Sequence, residues 1–313
     1  MTNSALHGVI AAVATAIDEQ GEPDCARSIA LARFLLDNGC DGLNLLGTTG
    51  EGTSFSLEQR RRVMDAYAAS GLPLERMIVG TGAAALADAV ALTAHAGELG
   101  FAGALVLPPF YYKGVADDGL LAAVDAIVAA TAARPIPIYL YHFPALSGLP
   151  WHIALIRRLI DAFGARIVGL KDSSGDMAFA REAASLSSYF KVFPSTEAAL
   201  PDARSGLFAG CISATANLNA DLCARGYRAG DAAALAAAVA IRKLFDGKPL
   251  VAGVKALLAH IHGESQWSRV EPPLSPFPAA DRIAVVAGYE AVRARRASVA
   301  PVSPTRTNSS AIR

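Results

Sequence analysis

A closed (β/α)8 barrel of parallel strands wrapped in helices, followed by a C-terminal helical extension, is the α/β fold class this sequence predicts. Three observations carry that expectation. Eight short apolar runs recur along the 313 residues, and their starts lie roughly 20 to 35 residues apart, the size of one strand–helix unit. Each run is followed by a segment with apolar residues at helical spacing and charges opposite. Strands that read as near-continuous apolar runs belong to a parallel sheet covered on both faces, and eight such units close a barrel. An open doubly wound sheet would place a G-x-G-x-x-G turn after its first strand, and none is present there.

The runs, in order, are GVIAAVATAI (8–17), GLNLLG (42–47), MIVGTG (77–82), GALVLPP (103–109), PIYLYH (137–142), RIVGLKD (166–172), KVFPS (191–195) and GCISAT (210–215). Between them lie helical patterns such as CARSIALARFLLDNG and SLEQRRRVMDAYAAS. Ser56 reads as an N-cap, and Gly39 and Gly71 read as C-terminal stops. After about residue 218 the pattern is helix-only, with three further helices expected beside the barrel. The expected organisation is a barrel over 1–218, a helical extension over 219–296 and a disordered Ser/Pro/Thr-rich tail over 297–313.

Bulk composition excludes several classes. Lys plus Arg equals Asp plus Glu at 28 each, so the chain lacks the basic footprint of a nucleic-acid binder. No uninterrupted apolar run reaches the roughly 18 residues needed to span a bilayer. The N-terminus lacks a charged leader region, so no signal peptide is expected. Cys25, Cys40, Cys211 and Cys223 are scattered without C-x-x-C spacing, which argues against a zinc site or a disulfide framework. A reduced, cytoplasmic protein is the expectation, and its 53% hydrophobic content with only 18% charge favours an oligomer.

In such barrels chemistry sits at the C-terminal strand ends. Strand six ends in Lys171 directly after an apolar run. Taken alone, such a lysine is equally the first solvated residue past a strand. In a barrel mouth it is a partly desolvated amine able to form a Schiff base with a ketone or aldehyde. Tyr141 ends the neighbouring strand and can both donate and accept the protons that carbinolamine chemistry moves. The glycine-rich loop Gly47-Thr48-Thr49-Gly50-Glu51-Gly52 is either an ordinary tight turn or a cradle for a carboxylate or phosphate. His142 either lines a pocket or packs, and Asp172 and Glu51 are supporting groups or loop charges. His260-x-His262 has the wrong spacing for two ligands on one helical face, so no metal is expected.

Four motifs in order, GTTGEG (47–52), PPFYYK (108–113), YHFPALSG (141–148) and GLKDSSGD (169–176), give the chain a family likeness from about residue 6 to 296. It resembles the pyruvate-dependent, Schiff-base-forming aldolases of the dihydrodipicolinate synthase and N-acetylneuraminate lyase family. That resemblance implies a (β/α)8 barrel with a helical extension, assembled as a homotetramer built as a dimer of dimers. It implies that Lys171 forms the imine, with no dissociable cofactor, and that Tyr141 relays protons. It further implies that Thr48 and Thr49 receive the carboxylate of pyruvate, with Gly47 in the same loop. Tyr112 matches an aromatic that reaches across a tight dimer interface, with Tyr111 its neighbour. Ile212 and Ser213 match strand-eight positions near the bound 2-oxo acid.

Two departures bear on the branch. The synthases carry an arginine in this stretch that anchors the aldehyde's carboxylate, and here that place is Leu146. His142 stands where asparagine is usual. The chain is therefore closer to the lyase and 2-keto-3-deoxy-sugar-acid aldolase branch. The expected activity is cleavage or formation of a 2-oxo-3-deoxy acid from pyruvate and an aldehyde. The alternatives are a dehydratase or hydratase-aldolase on a related 2-oxo acid, the synthase itself, and a non-catalytic 2-oxo-acid-binding protein.

Overall fold

The computed structural model describes residues 6–299, with side chains described to residue 296. Eight strands form one sheet: β1 (Gly8–Ala12), β2 (Gly42–Leu45), β3 (Met77–Gly80), β4 (Gly103–Val106), β5 (Ile138–His142), β6 (Ile167–Asp172), β7 (Lys191–Pro194) and β8 (Gly210–Ser213). Every paired neighbour is parallel, in the order β7-β6-β5-β4-β3-β2-β1-β8. The seam between β7 and β8 is crossed by one bond, from the Ala209 amide to the Val192 carbonyl at 3.0 Å. The result is a nearly closed eight-stranded barrel of the expected class.

Strand alternation separates two cores. Ile10, Ala12, Ile78, Leu105, Tyr139 and Phe193 point inward and fill the barrel. Val9, Ala11, Val79, Ala104, Leu140 and Leu170 point outward into the larger layer beneath the helices. Both faces are therefore apolar, which is why the strands read as continuous runs rather than alternating ones. Each fully buried Leu or Ile contributes about 1.5–3 kcal/mol of transfer free energy.

The helices are α1 (Cys25–Asp37), α2 (Leu57–Ala69), α3 (Leu86–Leu99), α4 (Asp117–Ala130), α5 (Pro144–Ser147), α6 (Ile153–Phe163), α7 (Met177–Ala184), α8 (Leu200–Arg204), α9 (Ala216–Ala229), α10 (Ala232–Lys243), α11 (Leu250–His262) and α12 (Ala279–Val299). Ser56 caps α2 with a full capping box, its hydroxyl accepting from the Gln59 amide while the Gln59 side chain accepts from the Ser56 amide. Gly39 and Gly71 follow α1 and α2 in the left-handed region that ends a helix, at φ 113° and 73°. The helix after β8, α9, packs on β1 and kinks at Asn219, where φ is −143°. The expected boundary at residue 218 falls inside this helix, and α10, α11 and α12 follow it. Residues 297–299 still belong to α12, and the remainder of the expected tail lies outside the described residues. Among the described residues, no helix is long and apolar enough to cross a membrane.

Candidate active site

Strands β5 and β6 pair with Tyr141 opposite Lys171 and His142 opposite Asp172. Because side chains alternate, the first pair faces the barrel interior and the second faces the helices. Lys171 and Tyr141 are each 3% exposed. The Lys171 Nζ lies 4.3 Å from the centroid of the Tyr141 ring, and no carboxylate pairs with it among the described residues. The ring face is thus the partner for an amine that has lost most of its water. At the other end of the ring, the Tyr141 hydroxyl is 3.1 Å from Thr48 Oγ1.

Thr48 and Thr49 sit in a loop held in an unusual shape. Leu46 and Glu51 adopt left-handed backbone at φ 50° and 53°, although neither is glycine. The glycines serve close approach instead: a Cβ on Gly52 would lie 2.0 Å from the Leu46 carbonyl oxygen, and one on Gly80 would lie 2.3 Å from it. The Thr15 hydroxyl donates to the Gly50 carbonyl at 2.8 Å. Neither the Thr48 nor the Thr49 amide donates to another described residue, so two N–H groups stand ready for an anion.

The loop's far end is fastened to the helical extension. The Glu51 carboxylate is buried, accepts from Lys255 Nζ of α11, and accepts from the Glu271 amide at 2.8 Å. Burial pulls the Lys255 ammonium below its ordinary value, and the neighbouring Glu51 carboxylate offsets part of that shift.

Thr48, Thr49, Tyr141, Lys171 and Ile212 converge on one cavity of about 610 Å³. Phe143 and Leu146 line it from the segment after β5, and Pro249–Ala252, Pro273–Pro276 and Pro278 line it from the extension. Arg242, Ser173 and Ser195 also line it. Arg242 and Lys255 escape a reading of the sequence because each lies in an Ala-rich or apolar helix, where a basic residue reads as solvated. The available signal was the rarity of charge in those segments.

Other expected site residues lie elsewhere. Gly47 does not line the cavity, and a Cβ there would meet the Asn44 Oδ1 at 2.8 Å. His142 is 5% exposed and points away from the cavity: its ring stacks on Phe179 at 4.3 Å, and its Nδ1 accepts from the Trp151 amide at 3.1 Å. Desolvation lowers its pKa to about 4. Ser213 also faces outward and donates to Glu197 Oε1 at 2.7 Å. Tyr111 and Tyr112 are each 72% exposed, stacked edge to face on the loop after β4 and outside the cavity. Asp172 accepts from the Ser174 amide at 3.0 Å, and burial raises its pKa. His260 pairs with Glu290, and His262 packs on Phe34 and Trp267.

This geometry has close relatives. A "DapA-like lyase" of Chloroflexus aurantiacus is 33% identical over 293 residues, covering 92% of this chain and 97% of that protein. A crystal structure of dihydrodipicolinate synthase from Agrobacterium tumefaciens superposes with a TM-score of 0.85 at 29% identity, covering 91% of this chain and 99% of the other. An N-acetylneuraminate lyase of Proteus mirabilis, at 24% identity and a TM-score of 0.78, covers 92% of this chain and 98% of its own and shares the fold. The model of the dihydrodipicolinate synthetase family matches residues 5–290. Members of that family are lyases and aldolases that join or release pyruvate through a lysine Schiff base, without a metal or other cofactor. With the match spanning nearly the whole chain, this protein belongs to the dihydrodipicolinate synthetase family.

Proposed function

We propose that this protein is a class I aldolase or lyase that cleaves, or forms, a 2-oxo-3-deoxy acid by way of pyruvate and an aldehyde. One observation supports this most directly. The amine of Lys171 lies over the Tyr141 ring, whose hydroxyl reaches Thr48 beside two undonated amides, all on one cavity.

In this reading the Thr48 and Thr49 amides hold the substrate carboxylate, which sets the adjacent ketone over Lys171. Nζ attacks C2, and Tyr141 carries one proton from the nitrogen to the oxygen and gives it a second, so that the oxygen leaves as water and the iminium forms. In cleavage the C4 hydroxyl gives up its proton, the C3–C4 bond breaks, and its electron pair moves through C2 onto the nitrogen. The aldehyde departs and an enamine of pyruvate remains. C3 then takes a proton, and water hydrolyses the imine to pyruvate and free Lys171. Positive charge on the imine nitrogen is the electron sink throughout. The buried, mostly apolar walls around Lys171 keep water from competing at that centre.

Leu146 in place of an arginine favours this branch over the synthase, because a leucine offers no charge to an aldehyde's carboxylate. Assembly as a homotetramer, with Tyr111 and Tyr112 meeting a second copy, belongs to the same reading. Loss of water in place of aldehyde release would make the protein a dehydratase, and product analysis separates the two.

Borohydride reduction in the presence of pyruvate tests the mechanism. The expected result is one pyruvate-derived adduct per chain, mapped to Lys171 and absent from Lys171→Ala. Absence of any adduct in the wild-type protein would overturn it.

A further inference from the structure

Among the described residues lining the cavity, only Lys171 and Arg242 carry charge, and none is acidic. In the proposed reaction Lys171 is consumed in the imine and the Thr48–Thr49 loop takes the first carboxylate. Arg242 is then a cation with no assigned partner on the substrate.

The guanidinium is held in a particular way. Glu197 is fully buried at the start of the turn after β7, and its Oε1 accepts from both Ser213 and Thr215. Its Oε2 has no hydrogen bond and faces Arg242 Nη1 at 3.7 Å. The same Nη1 lies 3.4 Å from Ser213 Oγ. Those are the polar contacts of the Arg242 side chain among the described residues, and it remains 28% exposed. A guanidinium has five N–H donors in a rigid fork. Here one edge faces the buried carboxylate, while the remaining donors have no acceptor among the described residues. Such an arrangement suits a second anion, since a planar fork binds carboxylate or phosphate oxygens in pairs. Leu146, on the same cavity, is apolar and offers such an anion no charge.

We infer that Arg242 is a specificity-determining residue that binds a second anionic group, a carboxylate or phosphate, at the end of the substrate remote from the 2-oxo acid. The inference rests on the function proposed above and narrows its substrate class to 2-oxo acids with a charged tail. Glu197 is the positioning residue that aims the fork.

The test uses borohydride trapping on Lys171, which needs no turnover, with three probes of similar length. These are 2-oxohexanoate, with a neutral tail, 2-oxoadipate, with a carboxylate tail, and 5-phosphono-2-oxopentanoate, with a phosphate-like tail. In the wild-type protein at least one anionic probe should reach half-maximal trapping at a tenfold or lower concentration than 2-oxohexanoate. Which of the two does so distinguishes carboxylate from phosphate. Arg242→Gln should abolish that ratio while leaving pyruvate and 2-oxohexanoate unchanged, and Arg242→Lys should keep part of it. A general structural defect in Arg242→Gln would weaken all probes alike and leave the ratio standing, which counts against the inference. A ratio near one in the wild-type protein overturns it while leaving the Lys171 chemistry intact. If pyruvate itself is not trapped, the function reading falls first and this inference falls with it.

Discussion

Glu51 and Lys255 form an enclosed ion pair that ties the loop after β2 to helix α11, 204 residues further along the chain. Two charges withdrawn from water repay their desolvation only when both partners are present. Lys255→Met strands a buried carboxylate and should cost about 3–5 kcal/mol in urea unfolding. The double variant Glu51→Gln with Lys255→Met removes both charges and should recover much of that loss. Equal losses in the single and double variants would show that the pair does not hold the loop.

Among the described residues, Tyr141 is the phenol that meets both Lys171 and Thr48. Tyr141→Phe keeps the ring beneath the amine and removes only the hydroxyl. Proton relay by a placed side chain is worth about 10²- to 10⁴-fold, so turnover should fall within that range. Pyruvate trapping should still reach completion, more slowly, because Lys171 is intact. Unchanged turnover in this variant would remove Tyr141 from the proton path.

Gly52 is needed for space. A methyl group there meets the Leu46 carbonyl at 2.0 Å, so Gly52→Ala must push apart the two ends of the anion loop. Overpacking of this kind costs about 1–3 kcal/mol. The affinity for pyruvate should fall alongside stability, because the Thr48 and Thr49 amides move with the loop. A stable Gly52→Ala protein with unaltered half-saturation by pyruvate would count against that coupling.

His142 makes stability depend on pH. Its folded-state pKa is lowered to about 4 by desolvation, against about 6.5 in the unfolded chain. Between those values the unfolded state holds a proton that the folded state lacks, so unfolding is favoured as pH falls. The contribution is fully present above about pH 6.5 and is lost progressively toward pH 4. His142→Asn should flatten the urea midpoint across that window, and an unchanged slope would assign the dependence to other groups.

The eight strands are legible in the sequence for a physical reason: strands covered on both faces are short apolar runs, and each starts at or within one residue of its run. Lys171 and Tyr141 are legible because a polar residue ending such a run lies at the barrel mouth. Alternation along β5 would also have set His142 outward once Tyr141 was taken as inward. Ser213 follows the same rule beside Ile212. Arg242, Glu197 and Lys255 are not legible, because their meaning comes from partners brought near by the fold. Glu197 and Ser213 are 16 residues apart and Lys255 and Glu51 are 204 apart, and no local periodicity records either meeting.

The strand order has a consequence for synthesis. β1 lies between β2 and β8, and its second partner is paired through Gly8 and Gly210. A Cβ on Gly210 would lie 1.9 Å from the Gly8 carbonyl oxygen, so the joint closes only with glycine at 210. A ribosome extends a chain at about 5–20 residues per second, so the first strand waits about 10–40 s for the last. Through that interval one edge of β1 presents unpaired N–H and C=O groups to solvent or to a chaperone. The barrel is thus completed only after about two thirds of these 313 residues have emerged, its earliest strand waiting longest for a neighbour.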